Sequence, residues 1–177
     1  MTNPALTDTT QSCESTDIVD ELADLQPGTP LSTLRAGRAD VARYAQGSYR
    51  ALLEPADPTG VSRLERELIA LRVAVLTASD ALAEQHRERL RELKVSAECI
   101  AAVEHFPSAE SLSARETAIL QHVDLLTQEP RAAGQANIRT LQAAGLGVRD
   151  IVTIAQLIAF LSFQVRVLAG LRVLAEA

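Results

Sequence analysis

An all-α fold is expected of this 177-residue chain, because 47% of its residues are hydrophobic while only 3% are aromatic and none is Trp. Such a composition suits closely packed helices better than a sheet, which draws on aromatic and β-branched faces. Two Ser-x-x-Glu capping boxes, at Ser62 to Glu65 and Ser113 to Glu116, open helix-compatible runs. No sustained alternation of apolar and polar residues competes as a strand signal. The length fits one domain with a sizeable core. The expected division is a flexible N-terminal tail over 1–30 and a helical domain over 31–177.

The first 16 residues are polar, and a short helix is expected over Asp17 to Leu25, stopped by the cluster Gln26-Pro27-Gly28-Thr29-Pro30. The folded body is then expected to start near Leu31. A helix running through Ala51 to Leu53 is ended by Pro55, Pro58 and Gly60. A buried helix begins near Ser62 and carries Leu68, Ile69, Leu71, Val73, Val75 and Leu76. Thr77, Ser79 and Asp80 are small oxygen-bearing residues suited to the start of the next helix, a more polar one over Ala81 to Lys94, and capping is the expected role of both Ser79 and Asp80. Ser96 caps a short helix over Ala97 to Glu104. Ser113 opens another, to about Thr127 before Pro130. A helix within Gly134 to Ala144 ends at Gly145-Leu146-Gly147, and the last runs from about Val148 to Ala175. Over Ile151 to Leu161 that helix is apolar around most of its circumference, which implies burial on more than one side.

A formal charge of -6 and a pI near 5.1, with no Lys/Arg tract, argue against a nucleic-acid surface. Cys13 and Cys99 match no metal or redox spacing, so no disulfide framework is expected. The start of the chain lacks a basic stretch followed by an apolar one, so no secretory signal is read and the cytoplasm is the expected compartment. The segment IVTIAQLIAFLSFQVRVL is interrupted by Gln156, Gln164 and Arg166, and it is read as a core or subunit-interface helix rather than a membrane span.

The chemistry-bearing residues converge on Glu67 to His86, ELIALRVAVLTASDALAEQH. Ser79, Leu82 and His86 are spaced i, i+3, i+7 and so share one face of the second helix. Imidazole exchanges a proton near neutral pH, which makes His86 the leading candidate base, and Glu67 could orient it. A bland reading stands beside this one. His86 lies among Glu84, Gln85 and Arg87 on a polar helix, and Glu67 falls near a helix N-terminus that favours carboxylates. Against the bland reading, Glu67 aligns with Leu71 and Ala74 on an apolar stripe, where a charge needs a partner, either His86 or an arginine. Arg72 and Arg166 interrupt apolar helices and are expected to pair with carboxylates. Ser79 lacks an adjacent base, and Cys99 reads as a small buried residue. His105 and His122 have no spacing that joins His86 in a metal site, so neither a metal nor a cofactor is expected.

The segment resembles the carboxymuconolactone decarboxylase superfamily, which includes the AhpD-like alkylhydroperoxidases. Their signature is a Glu, a Cys-x-x-Cys beginning twelve residues later, and a His four residues after the second Cys. Glu67 and His86 match, while Ser79 and Leu82 occupy the cysteine positions. The segments LSTLRAGRADVARYAQGSYRALL, LSARETAILQHVDLLTQEP and LQAAGLGVRDIVTIAQLIAFLSFQVRVLAGL follow the family pattern, so the resemblance covers about residues 31 to 177. It implies an AhpD-like fold with antiparallel helical hairpins and assembly into a homo-oligomer. In the thiol-dependent relatives the Glu/His pair activates a cysteine; with Ser79 and Leu82 present, thiol-disulfide turnover through the motif is chemically unavailable. The leading functional expectation is a non-thiol acid-base site, Glu67 and His86, for a small organic acid, lactone or related molecule. The decarboxylase branch, which works without the cysteine pair, supports it. An alkylhydroperoxidase-like, peroxidase-related antioxidant protein is one alternative, and a non-catalytic oligomer that binds a ligand or partner is the other.

Overall fold

The computed structural model describes residues 17–108 and 111–176; Cys13 and the first 16 residues of the expected tail lie outside them. The helices are α1 (Ile18–Leu22), α2 (Pro30–Ala36), α3 (Ala39–Leu53), α4 (Arg63–Leu76), α5 (Asp80–Glu92), α6 (Ala97–Glu104), α7 (Ala114–Gln128), α8 (Gln135–Ala143) and α9 (Val148–Ala175). A 3₁₀ turn, Pro130–Ala132, follows α7. No strand occurs among the described residues.

The axis of the fold is α4. Every residue from Glu65 to Ala74 is buried, and the helix packs against α5, α7, α9, α6 and α3. Its start is fixed by the Ser62 capping box: the Ser62 hydroxyl accepts from Glu65 N-H and the Glu65 carboxylate accepts from Ser62 N-H at 2.7 Å. The second box forms at Ser113 and Glu116 and starts α7 in the same way. Glu65 adds a tertiary contact, because Arg115 at the start of α7 donates to it at 2.6 Å. Burial pushes the Glu65 carboxyl up, but the bonds from Arg115 and Ser62 outweigh it and hold the group below its usual range. Arg66 closes the loop between α3 and α4 by donating to the carbonyls of Val61, Leu52 and Pro58.

Two segments depart from the sequence expectation. Residues 17–30 are not loose. Ile18 and Val19 are buried in the core, Ile18 N-H donates to Gln46 of α3, and Arg35 of α2 pairs with Asp17 and Asp20. The packed structure therefore begins upstream of Leu31, because the Ile18-Val19 pair is apolar enough to bind a short helix to α9. Pro30, expected only as a breaker, occupies the first turn of α2 behind a Thr29 cap, where its missing N-H costs nothing. The lead-in to the α4 loop also divides at Gly37 and Arg38 into α2 and α3.

The long α9 packs on α4, α3, α7 and α1 and buries Ile154, Leu157, Ile158 and Leu161. Its 28 residues are by length and composition apolar enough to cross a bilayer, despite the polar residues that interrupt them. Gln156, Gln164 and Arg166 are too few to lower the mean hydropathy of so Leu-, Ile- and Val-rich a helix. The face carrying Ile154, Leu157 and Leu161 is nevertheless a wall of the core.

Candidate functional site

The site is built on the hairpin between α4 and α5. The α4 helix ends by bonding Ala78 N-H to Val75 and Ser79 N-H to Ala74, with Ala78 in the left-handed region at φ 51°, a helix-ending motif that usually uses glycine. Ser79 then stands at the N-cap position of α5, but its hydroxyl makes no capping bond. The expected capping role of Ser79 is thus replaced: the residue contributes its backbone N-H to the end of α4 and its carbonyl to Ala83 N-H. Asp80, likewise expected as a cap, is the first residue of α5.

This turn brings α5 back along α4 and joins the residues that sequence spacing could not connect. His86 Nδ1 lies 2.7 Å from Glu67 Oε2, and both side chains have zero exposure. A carboxylate can only accept, so Nδ1 is the donor and the proton lies on that side of the ring. The other nitrogen, Nε2, is buried without a hydrogen-bond partner in the protein. One ring nitrogen is thus held by Glu67, and the other makes no hydrogen bond to the protein.

Glu67 is a carboxylate in a protein interior, and its second oxygen explains how it is tolerated. Oε1 lies 3.6 Å from Arg89 Nη1, and the same nitrogen donates to Glu54 at 2.8 Å. The guanidinium also lies over the Tyr49 ring, 5.4 Å from its centroid. Burial works to lower the Arg89 pKa, but Glu54, Tyr49 and Glu67 together raise it, so Arg89 remains a cation between a surface carboxylate and a buried one. Tyr49 is buried, its hydroxyl has no partner in the protein, and burial pushes its phenol pKa up. Tyr49, Glu54 and Arg89 were not singled out from the sequence. The available signal was Arg89 three residues beyond His86 on the same helix; nothing local marks the other two.

Glu54 lines a cleft of about 400 Å³ with Leu53, Pro55, Pro58 and Arg63. Arg89 thus links the wall of this cleft to Glu67. Leu82, at the second cysteine position of the resembled signature, is fully buried and lies one turn before His86.

The other candidates lie elsewhere. Arg72 pairs with Asp124 through two hydrogen bonds of 2.7 and 2.8 Å and binds the carbonyls of Val103 and Glu104, as a structural arginine. Arg166 is exposed and donates to the Ser162 carbonyl of its own helix; among the described residues it has no carboxylate partner, correcting the expected pairing. Cys99 is partly buried, and burial together with Glu116 raises its thiol pKa, the opposite of what a reactive thiolate needs. His105 is exposed, His122 is buried in α7, and no metal-holding cluster of His, Cys, Asp and Glu occurs among the described residues.

Three solved structures share this architecture. A protein of unknown function from Agrobacterium tumefaciens, suggested to be the antioxidant defence protein AhpD, superposes with a TM-score of 0.69 at 19% identity, covering 77% of this chain and 91% of that one. An uncharacterized peroxidase-related protein from Silicibacter sp. TM1040 gives 0.69 at 22% identity over 75% of this chain and 69% of its own. A third, from Ralstonia eutropha JMP134, described as an alkylhydroperoxidase AhpD core and peroxidase-related protein, gives 0.68 at 21% identity over 84% and 78%. No family model and no curated protein matches the sequence. The fold is therefore the AhpD-like helical fold, reached here by a chain with Ser79 and Leu82 where the resembled signature has its thiols.

Proposed function

We propose that Glu67 and His86 form a thiol-independent acid-base site for a small organic molecule in a cytoplasmic protein. The observation that carries the reading is the asymmetry of the imidazole: Nδ1 is held by Glu67 at 2.7 Å while the buried Nε2 has no partner in the protein. What separates His86 from His122, also buried with an unpartnered nitrogen, is the Glu67 carboxylate held against its opposite nitrogen. In the proposed step Nε2 takes a proton from the substrate, the imidazolium is stabilised by the Glu67 carboxylate, and the proton is returned to the product. Arg89 is a positioning residue in this scheme: it balances Glu67 when His86 is neutral. The cleft beside Glu54 is the proposed approach, with Arg89 standing between it and the pair.

The test is turnover on a panel of small carboxylic acids and lactones. His86→Gln should lower kcat/KM by about 10² or more, whereas alkylation of Cys13 and Cys99 should leave it unchanged. A flat rate profile between pH 5 and 8, about the range of histidine titration, would count heavily against the proposal.

A second reading, a non-catalytic binding protein with a vestigial site, is favoured by one observation: Glu67, His86 and Leu82 all have zero exposure. Under it the pair holds α4 to α5 and nothing more. The peroxidase-related reading has the named neighbours in its favour, but Ser79 and Leu82 stand where the signature has its thiols, and Cys99 has a raised pKa that opposes thiolate formation.

A further inference from the structure

A second and larger cavity, of about 560 Å³, lies between α2, the start of α3 and the end of α9. Its walls are Leu31 and Leu34 of α2, Val41 of α3 and Leu171 of α9, and the polar side chains that line it are Arg35 and Arg38. Leu34 is 64% exposed and Val41 45%, so the apolar wall is open to water. The two arginines differ. Arg35 is held by Asp17 and Asp20. Asp40, two residues beyond Arg38, pairs instead with Arg43 at 2.9 Å. The Arg38 side chain makes no capping bond to α3, and among the described residues it has no hydrogen bond or ion pair.

We propose that this cavity binds the alkyl chain of a medium-chain carboxylate whose carboxylate pairs with Arg38. The volume falls within the roughly 300 to 1,000 Å³ of small-molecule sites. No Ser, Thr, Asn or Gln lines the cavity, so a peptide, sugar or nucleobase seated there would leave its hydrogen-bonding groups without partners, at a cost for each. An alkyl chain has none to leave. The charge on the ligand follows from Arg38, whose planar fork of N-H donors matches a carboxylate. A chain with a net charge of -6 repels anions in general, so recognition of this one rests on the local cation. The cavity shares no lining residue with the cleft beside Glu54, and the proposal does not depend on whether Glu67 and His86 are catalytic.

Equilibrium dialysis of the full chain against monomeric decanoate tests it, with octanoate, decanol and decylammonium as comparison ligands and helix content followed by circular dichroism. Decanoate should bind with a dissociation constant of about 1 mM or below, at least about threefold tighter than octanoate because two more CH₂ groups leave water. Arg38→Gln should weaken decanoate at least about fivefold and leave decanol unchanged. Leu34→Glu, at an exposed position, should keep the helix content and weaken decanoate at least about tenfold by setting a carboxylate against the ligand in the apolar wall. Absence of decanoate binding, decylammonium binding as tightly as decanoate, indifference to Arg38→Gln, or flotation of the protein with phosphatidylglycerol vesicles in place of binding to the monomeric ligand would each overturn the proposal.

Discussion

At the scale of single residues, the organising fact is a buried carboxylate shared by an imidazole and a guanidinium. Removing one member of such a group leaves the others uncompensated, with a cost of about 3 to 5 kcal/mol when the partner is a fully buried charge. Glu67→Leu should therefore destabilise the fold by less than Arg89→Met, because the first removes the buried charge itself and the second leaves it with the imidazole as its one partner; urea unfolding of the two variants makes the comparison. Leu82→Ala should cost about 2 to 5 kcal/mol, since Leu82 is fully buried and the site cannot collapse without moving α5. Glu67 and His86 were singled out by their match to the resembled signature, but their contact was not legible, because the residues sit on different helices and a turn at Ala78 decides where they meet. Arg89 and Tyr49 were invisible for a similar reason: each is unremarkable on its own helix, and only packing of α3 against the α4-α5 hairpin makes them neighbours.

At the scale of elements, local chemistry determined most boundaries. Both capping boxes form as their spacing suggests, and Ser62→Ala should cost about 1 kcal/mol by thermal unfolding. The turn at Ala78 is the weak joint. An alanine there sits in a conformation that costs an L-residue about 1 to 2 kcal/mol, so Ala78→Gly should stabilise the protein, by about 0.5 to 1 kcal/mol after the added freedom of the unfolded chain is subtracted. Gly60→Ala should act in the other direction. A Cβ at Gly60 would lie 2.3 Å from the Asp150 carboxylate, which caps α9 by accepting from Gly147 N-H at 2.9 Å, so the added methyl displaces the cap. The division of α2 from α3 and the docking of α1 were not legible, because the first depends on a single glycine in a helix-compatible run and the second on a short apolar pair finding a distant partner.

At the scale of the whole molecule, pH dependence follows from a buried histidine. His122 is buried with its Nδ1 unpartnered, and burial lowers its pKa. The folded state thus binds fewer protons than the unfolded state below about pH 6.5, so the stability contributed by neutral His122 is complete above that pH and is lost as pH falls through the folded pKa. Denaturant unfolding of the wild type should accordingly weaken from pH 7 to pH 5, and His122→Gln should reduce that slope. The all-α class and the long terminal helix were legible from composition and hydropathy, whereas which face of α9 packs on the core was settled only by the positions of α4, α3 and α7. The central claim, that His86 is a working base held at one nitrogen and open at the other, is tested most directly by ¹⁵N NMR of the histidine ring in the intact protein from pH 5 to pH 8, with His86→Gln used for assignment. The account predicts that at the neutral end of this range Nδ1 carries the proton and Nε2 is bare. A ring with its proton on Nε2 and a bare Nδ1 there would contradict the account and mark Glu67 and His86 as a fixed structural pair.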